Sequence, residues 1–227
     1  MFERSISLLG MDNFNKLQSI TVLVVGLGGV GGYAAESLVR SGIKNIILID
    51  HDKIDITNLN RQIISMQDNI GNDKVNEFKK RILNINPECN IITYNLFLNR
   101  NNYNIMNNHK IDYIIDCCDT VDTKKLLIDY SIEKNIKLIS SMGTANKIDP
   151  SKLEITDIRK TSYDPLAKIL RKYVNDLKTN KKIMVVSSTE EPLKNKSLST
   201  LIFVPAIAGL LCSNYIVKDI IKQTNKE

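Results

Sequence analysis

The sequence predicts a doubly wound, mainly parallel α/β sheet that continues into an extension of short strands and helices. Three observations predict it. Apolar runs of strand length alternate with stretches of helical periodicity through the first two thirds of the chain. The first run, Thr21 to Val25, is continuous and β-branched, as in a strand covered on both faces. A glycine-rich turn then leads directly from that strand into a helical segment.

The elements are read in chain order. After Thr21–Val25 and the glycines comes a helix through Ala34, Ala35 and Leu38, then a second strand, Asn45 to Ile49. Asn90–Tyr94, Tyr113–Asp116 and Lys137–Ser140 are further strands, each preceded by a helical segment. This βαβα order requires right-handed crossovers. After Gly143 the texture changes. Lys147–Ile148 and Lys152–Thr156 read as short strands around an Asp-Pro turn. A helix begins near Pro165, a residue suited to a first helical turn, and its apolar positions Leu166, Ile169, Leu170, Tyr173 and Val174 share one face. Residues 180–200 read as a polar loop around a short strand at Met184–Val186, and Leu201 to Lys222 as a final helix packed on the sheet. The expected division is a nucleotide-binding part over residues 1–145 and a substrate-facing extension over 146–227, both on one sheet.

Composition narrows the function classes. With 227 residues, 43% hydrophobic and 25% charged, the chain is neither disordered nor a disulfide scaffold. Aromatic residues make up 6% with no Trp, which argues against a stacked platform for bases. The cysteines, Cys89, Cys117, Cys118 and Cys212, contain no C-x-x-C pair, so no zinc site is expected. No signal peptide is legible at the start. The apolar run Leu201–Cys212 is too short for a bilayer and holds Pro205 and Gly209, so no membrane partner is expected. The chain reads as cytoplasmic with reduced thiols, and its net charge of +6 suits a polyanionic partner without requiring one.

Gly26, Gly28, Gly29 and Gly31 lie between a predicted strand and a predicted helix. Without a Cβ, the backbone there can turn tightly and approach a phosphate, and the helix behind presents free N–H groups to the anion. Asp50 ends the second strand, nineteen residues after Gly31, where a carboxylate accepts ribose hydroxyls. That fingerprint fits NAD and ATP equally. The residues beyond Asp50 distinguish the two cofactors: Asp52, then Asn58-Leu-Asn60-Arg61-Gln62, then Lys74 at the start of the next helix. A nicotinamide wants apolar surface nearby, whereas amides and cations suit a triphosphate. Asp116 and Asp119 end another strand at the same sheet edge, where a carboxylate can hold Mg²⁺ carried by ATP. Taken singly, each of these groups reads more readily as a solvated surface residue than as a ligand; their joint placement after three successive strand ends reverses that and points to ATP.

These motifs resemble the adenylating superfamily of ubiquitin-activating E1 enzymes and their bacterial ThiF and MoeB relatives, built on a Rossmann-like sheet. The resemblance covers roughly residues 20–145. It implies that Arg61 and Lys74 hold the ATP phosphates and that Asp119 serves Mg²⁺ and the adenylation step. It also implies a homodimer in which Arg4, in Phe2-Glu-Arg4, reaches the partner's γ-phosphate. The second half resembles one branch, the tRNA threonylcarbamoyladenosine dehydratases, through Asn86-Pro-Glu-Cys89, Gly143-Thr-Ala-Asn-Lys-Ile-Asp149-Pro150, Thr156-Asp157-Ile-Arg-Lys160-Thr161 and Asp164-Pro165-Leu166-Ala167. That branch implies ATP-dependent ring closure of N6-threonylcarbamoyladenosine at position 37 of tRNA. The chain lacks the paired zinc cysteines of many E1-type relatives and a cysteine in residues 180–200, so no thioester relay is expected.

From Lys147 to Lys182 there are ten basic residues against five acidic ones, which accounts for most of the net charge. A solvated helical face explains such a run as well as a tRNA backbone does on charge alone. The resemblance favours tRNA, with Lys160, Lys168, Arg171 and Lys172 as its contacts. Besides a non-catalytic pseudoenzyme paired with an active partner, which the presence of every expected ATP-site residue type weakens, two other readings stay open at this point: an adenylyltransferase acting on a ubiquitin-like or sulfur-carrier protein, and an NAD-dependent oxidoreductase. The former shares the whole ATP site, and a sulfur-transfer or carrier partner is compatible with the sequence. The latter leaves Asn58 to Gln62, Lys74 and Asp119 without a role.

Overall fold

The structure, a computed structural model, describes residues 1–194 and 197–224, with side chains of the last helix described through residue 222. Residues 195–196 of the expected polar loop and 225–227 of the expected extension lie outside the described residues. Seven strands form one sheet: β1 (Thr21–Val25), β2 (Asn45–Asp50), β3 (Asn90–Asn95), β4 (Tyr113–Asp116), β5 (Lys137–Ser141), β6 (Leu153–Asp157) and β7 (Met184–Ser188). Their order is β3-β2-β1-β4-β5-β7-β6, parallel throughout except for the antiparallel pairing of β6 with β7. β1 pairs with both β2 and β4, so Val25 lies level with Ile49 on one side and Asp116 on the other. The strand order reverses at that point, and the carboxyl ends there open a crevice where α/β sheets bind ligands.

The alternation of side chains along the strands divides the core into two layers. Val22, Val24, Ile46, Leu48 and Ile115 face one cluster; Leu23, Val25, Ile47, Ile49 and Ile114 face the other. Each fully buried residue of this kind contributes about 1.5–3 kcal/mol. The first layer is closed by α2 (Met11–Ser19), α3 (Gly31–Arg40), α4 (Lys74–Ile85) and α7 (Phe203–Thr224), and the second by α5 (Val121–Glu133) and α6 (Pro165–Asp176). α1 (Glu3–Leu9) precedes them and buries no residue.

Two expectations for the extension are corrected. Lys147–Ile148 is not a strand: the backbone there is irregular, and Ile148 and Asp149 donate their N–H groups to the Glu190 carboxylate (3.0 Å each). β6 begins at Leu153, because Asp149 caps a 3-10 turn at Pro150–Lys152 by accepting from Ser151 N (2.9 Å). α6 starts as expected, with Asp164 accepting from Ala167 N (3.0 Å) and Pro165 in the first turn. On length and composition Phe203–Lys222 would suffice to cross a membrane. Here, however, Ala208, Cys212 and Ile216 are fully buried in the first core layer, as in the central helix of a folded domain.

Candidate functional site

A cleft of about 1350 Å³ opens outside the carboxyl ends of β1, β2 and β4. It exceeds the ~300–1,000 Å³ of an ordinary small-molecule pocket, leaving room beside a nucleotide for a second reactant. Of the expected residues, Gly26, Gly28, Gly29, Asp50, Asp52, Asn58, Asn60, Arg61, Gln62, Lys74 and Asp119 all line it. The turn after β1 is shaped by Gly26, whose φ of 86° suits glycine and whose Cβ would lie 2.7 Å from the Cys117 carbonyl oxygen.

Asp50 is 8% exposed, and both its oxygens are fixed: Oδ2 accepts from Leu27 N (2.5 Å) and Oδ1 from Asp52 N (2.7 Å). A carboxylate has further lone pairs for ribose hydroxyls once these two bonds are made. Asp52 pairs with Lys74, whose Nζ lies 2.7 Å from Oδ2, so the opening residue of α4 is drawn toward the strand end. Asn58 closes a capping box with Asp55, accepting from its backbone N–H (3.2 Å). That fold-back places Arg61, which is half-buried and donates from Nη1 to the Thr57 carbonyl (2.7 Å) and to Asn60 Oδ1 (2.9 Å). Asn60 in turn donates to the Thr200 carbonyl (3.1 Å), tying the turn to the segment before α7. Gln62 is 7% exposed and its Oε1 has no hydrogen-bond partner, an orphaned acceptor in the cleft wall. Such a group costs stability unless something fills its need. Asp119 is exposed in the turn after β4, with Thr120 Oγ1 at 3.4 Å and no ion pair among the described residues.

Several expected ligands are placed elsewhere. Asp116 is fully buried and does not line the cleft; Lys124 Nζ (3.0 Å) and Ser140 Oγ (2.6 Å) engage its Oδ2, which excludes a direct nucleotide contact. Gly31 is also absent from the cleft wall and is a packing residue, since a Cβ there would stand 1.8 Å from Gly26 O. Gly31→Ala is expected to cost about 3 kcal/mol through overpacking, seen as a melting point lower by on the order of 10 °C. Arg4 is exposed on α1 and lies outside the cleft of its own chain. In the basic run, Lys160, Lys168 and Lys172 are exposed. Arg171 is half-buried and donates to the Thr161 carbonyl and to its Oγ1, which removes it from the free cations of that face. Lys147, counted in the same run, is 2% exposed with Nζ 3.9 Å from Asp164; burial lowers its pKa.

Other residues, not expected as ligands from the sequence, also line the cleft. His51 and Phe97 form an edge-to-face pair with centroids 4.9 Å apart. Thr144, Ala145 and the segment Leu198 to Thr200 supply the far wall. Asn146 holds that wall, donating its N–H to the Ser199 carbonyl (2.7 Å) and accepting from Ser199 N (2.9 Å). Cys117 and Cys118 also line the cleft. The Cys212 thiol and burial push the Cys117 thiol well up, and burial followed by the Asp116 charge does the same to Cys118. Both are therefore protonated near neutral pH and unsuited to nucleophilic attack.

A glycine turn, a fixed carboxylate and converging cations at the reversal point of a doubly wound sheet define a nucleotide-binding α/β protein with a phosphate-handling site. The ThiF family model matches residues 2–226. A tRNA threonylcarbamoyladenosine dehydratase of Bacillus subtilis is 37% identical over 97% of this chain and 94% of its own length. The Escherichia coli enzyme of that name, TcdA, solved in complex with ATP, superposes with a TM-score of 0.94 at 33% identity, covering 100% of this chain and 96% of that one. Its complex with AMP gives 0.93 over 99% and 95% of the two chains, at 33% identity. The chain belongs to the ThiF family and, within it, to the tRNA threonylcarbamoyladenosine dehydratases.

Proposed function

We propose that this protein uses ATP to dehydrate N6-threonylcarbamoyladenosine in tRNA, closing it to the cyclic form. The full-length likeness to dehydratases, one of them solved with ATP, carries the reading. The cleft supplies the chemistry. A free carboxylate does not expel oxide, so the threonyl carboxylate oxygen first attacks the α-phosphorus of ATP and pyrophosphate leaves. The carbamoyl nitrogen on the adenine side, N6, then attacks the activated carbonyl carbon to close a five-membered ring, loses its proton and expels AMP. Proximity within one nucleoside replaces an enzyme nucleophile, in keeping with the protonated thiols of Cys117 and Cys118.

In this reading Asp50 holds the ribose and the turn at Gly26, Gly28 and Gly29 receives the phosphates. Arg61 and Lys74 offset the charge that develops as pyrophosphate departs. The orphaned Gln62 Oε1 supports a ligand donor at that wall, such as an adenosine hydroxyl. Asp119, exposed and without a cationic partner among the described residues, fits Mg²⁺, which when bound neutralises phosphate charge. Residues 1–145 then supply most of the nucleotide site, and the extension over 146–227 meets the tRNA through its exposed basic face. The protein acts in the cytoplasm as a homodimer, and Arg4 serves the partner's cleft.

Mass spectrometry of nucleosides from threonylcarbamoylated tRNA incubated with the protein, ATP and Mg²⁺ tests the reaction. A product lighter by one water, formed only with ATP, is expected. ATP–pyrophosphate exchange stimulated by a carrier protein's carboxy terminus, with no change in the tRNA, would overturn it. The tRNA face is tested separately by replacing Lys160, Lys168 and Lys172 with Ala. We expect weaker binding and a log–log salt slope shallower by about 2–3, at ~0.7–0.9 per lost phosphate contact; an unchanged slope removes this face from the tRNA site.

A further inference from the structure

We propose that Lys124 is a positioning residue for adenylation, holding at fixed spacing two turns that wall the cleft: the one that carries Asp119 and the one that carries Thr144 and Ala145. The inference rests on the adenylation reading above. Lys124 is on α5, fully buried, and its ammonium has three directed bonds: to Asp116 Oδ2 (3.0 Å), Ser140 Oγ (3.1 Å) and the Ser141 carbonyl (2.9 Å). Asp116 ends β4, while Ser140 and Ser141 end β5. The amine therefore bridges two neighbouring strand ends at the point where each leaves the sheet for the cleft.

The bridge reaches onward on both sides. Asp116 Oδ1 accepts from Cys118 N (3.2 Å) and from Cys118 Sγ (3.0 Å), which folds the turn back just before Asp119. Cys117 and Cys118 line the cleft with Asp119, so Asp116 anchors that turn at Cys118 while the Cys117 N–H is bonded to the Val25 carbonyl (2.8 Å). On the other side, Ser141 is followed by Met142, whose N–H is bonded to Val186 (2.9 Å), and Gly143, whose N–H is bonded to Asp164 (2.7 Å), before the chain enters the cleft at Thr144. Ser140 Oγ donates to Asp116 (2.6 Å) while accepting from Lys124, closing the network.

Stability alone is a poor reason for this arrangement. A buried ion pair is often matched or bettered by apolar residues of like volume, and position 124 shares its helix face with the buried Leu127 and Ile128. A methionine would fill that space. What it would lack is direction: three hydrogen bonds that fix the distance between two turns. Burial disfavours the charged amine, yet the facing Asp116 more than offsets this and the pKa of Lys124 is raised, so the bridge stays charged at working pH.

The test compares wild type with Lys124→Met, with the double variant Asp116→Asn/Lys124→Met, and with Ser140→Ala, measuring melting temperature, ATP KM and kcat on threonylcarbamoylated tRNA. The double variant leaves no buried charge unpaired, so it separates geometry from charge neutralisation. Expected is kcat lower by on the order of a hundredfold in the double variant, the scale of a small misplacement of reacting groups, with ATP KM little changed. Ser140→Ala gives a smaller loss of the same kind and decides the question if the double variant does not fold. Wild-type kcat in the folded double variant overturns the inference, as does wild-type kcat in Ser140→Ala when the double variant does not fold. A fall in ATP affinity matching the fall in kcat also overturns it. If the wild type itself yields no ATP-dependent loss of water, the dehydratase reading fails instead; turnover in wild type and double variant alike sinks only this inference.

Discussion

Arg61→Ala is expected to reduce turnover by on the order of a thousandfold, the scale seen when a preorganised group is removed from developing charge. The side chain is half-buried at the cleft, and its two hydrogen bonds run to Thr57 and Asn60 within one short turn. Removing them should cost about 1 kcal/mol of stability, so the variant stays folded while the chemistry stops. Pre-steady-state assay of AMP release, beside a thermal melt, separates the two effects. Lysine at the same position should recover only part of the rate, because a point charge does not reproduce the planar fork. Near-normal AMP release by Arg61→Ala would remove this guanidinium from the adenylation step.

Asp119→Ala is the second large loss, expected at about a hundred- to thousandfold in kcat. It differs from the first in its cation dependence. Asp119 is exposed and, among the described residues, its carboxylate accepts a single hydrogen bond, from Thr120 Oγ1, so its loss leaves the melting temperature nearly unchanged. If its carboxylate holds Mg²⁺, the residual rate should need a higher Mg²⁺ concentration to saturate. A full titration of rate against Mg²⁺ reads this directly, and a wild-type midpoint would take Asp119 out of the metal's coordination.

The sheet was legible because its central strands are unbroken apolar runs, and β1 at Thr21–Val25 and β2 from Asn45 stand where such runs require. The nucleotide end of the cleft was legible because glycines and a spaced carboxylate have few other uses together. Position along the chain says less about where a charged side chain points. Asp116 stands at the expected strand end, yet it turns inward because Lys124 meets it there. Lys124 was detectable in principle, since it falls three and four residues before Leu127 and Ile128 on an apolar face, where a lysine has no reason to be solvated. Arg171 was misplaced for the converse reason: the charged face of α6 looks uniform in sequence, while the Thr161 carbonyl that captures this guanidinium lies ten residues away in a loop. Short α1 buries nothing, so no apolar stripe announces it. The far wall, from Leu198 to Thr200, comes from a polar segment placed by distant bonds to Asn60 and Asn146.

The order of the strands has a consequence for synthesis. β6 pairs only with β7, and β7 comes later in the chain and sits between β6 and β5. While a ribosome is still making the stretch after β6, that strand has nothing to join and the edge of β5 lies bare, an invitation to pair with another chain. Completion of β7 settles both strands at once. The residues that finish the cleft, Leu198 to Thr200, emerge later still. A nascent chain thus carries its glycine turn and Asp50 long before its cleft has the full lining.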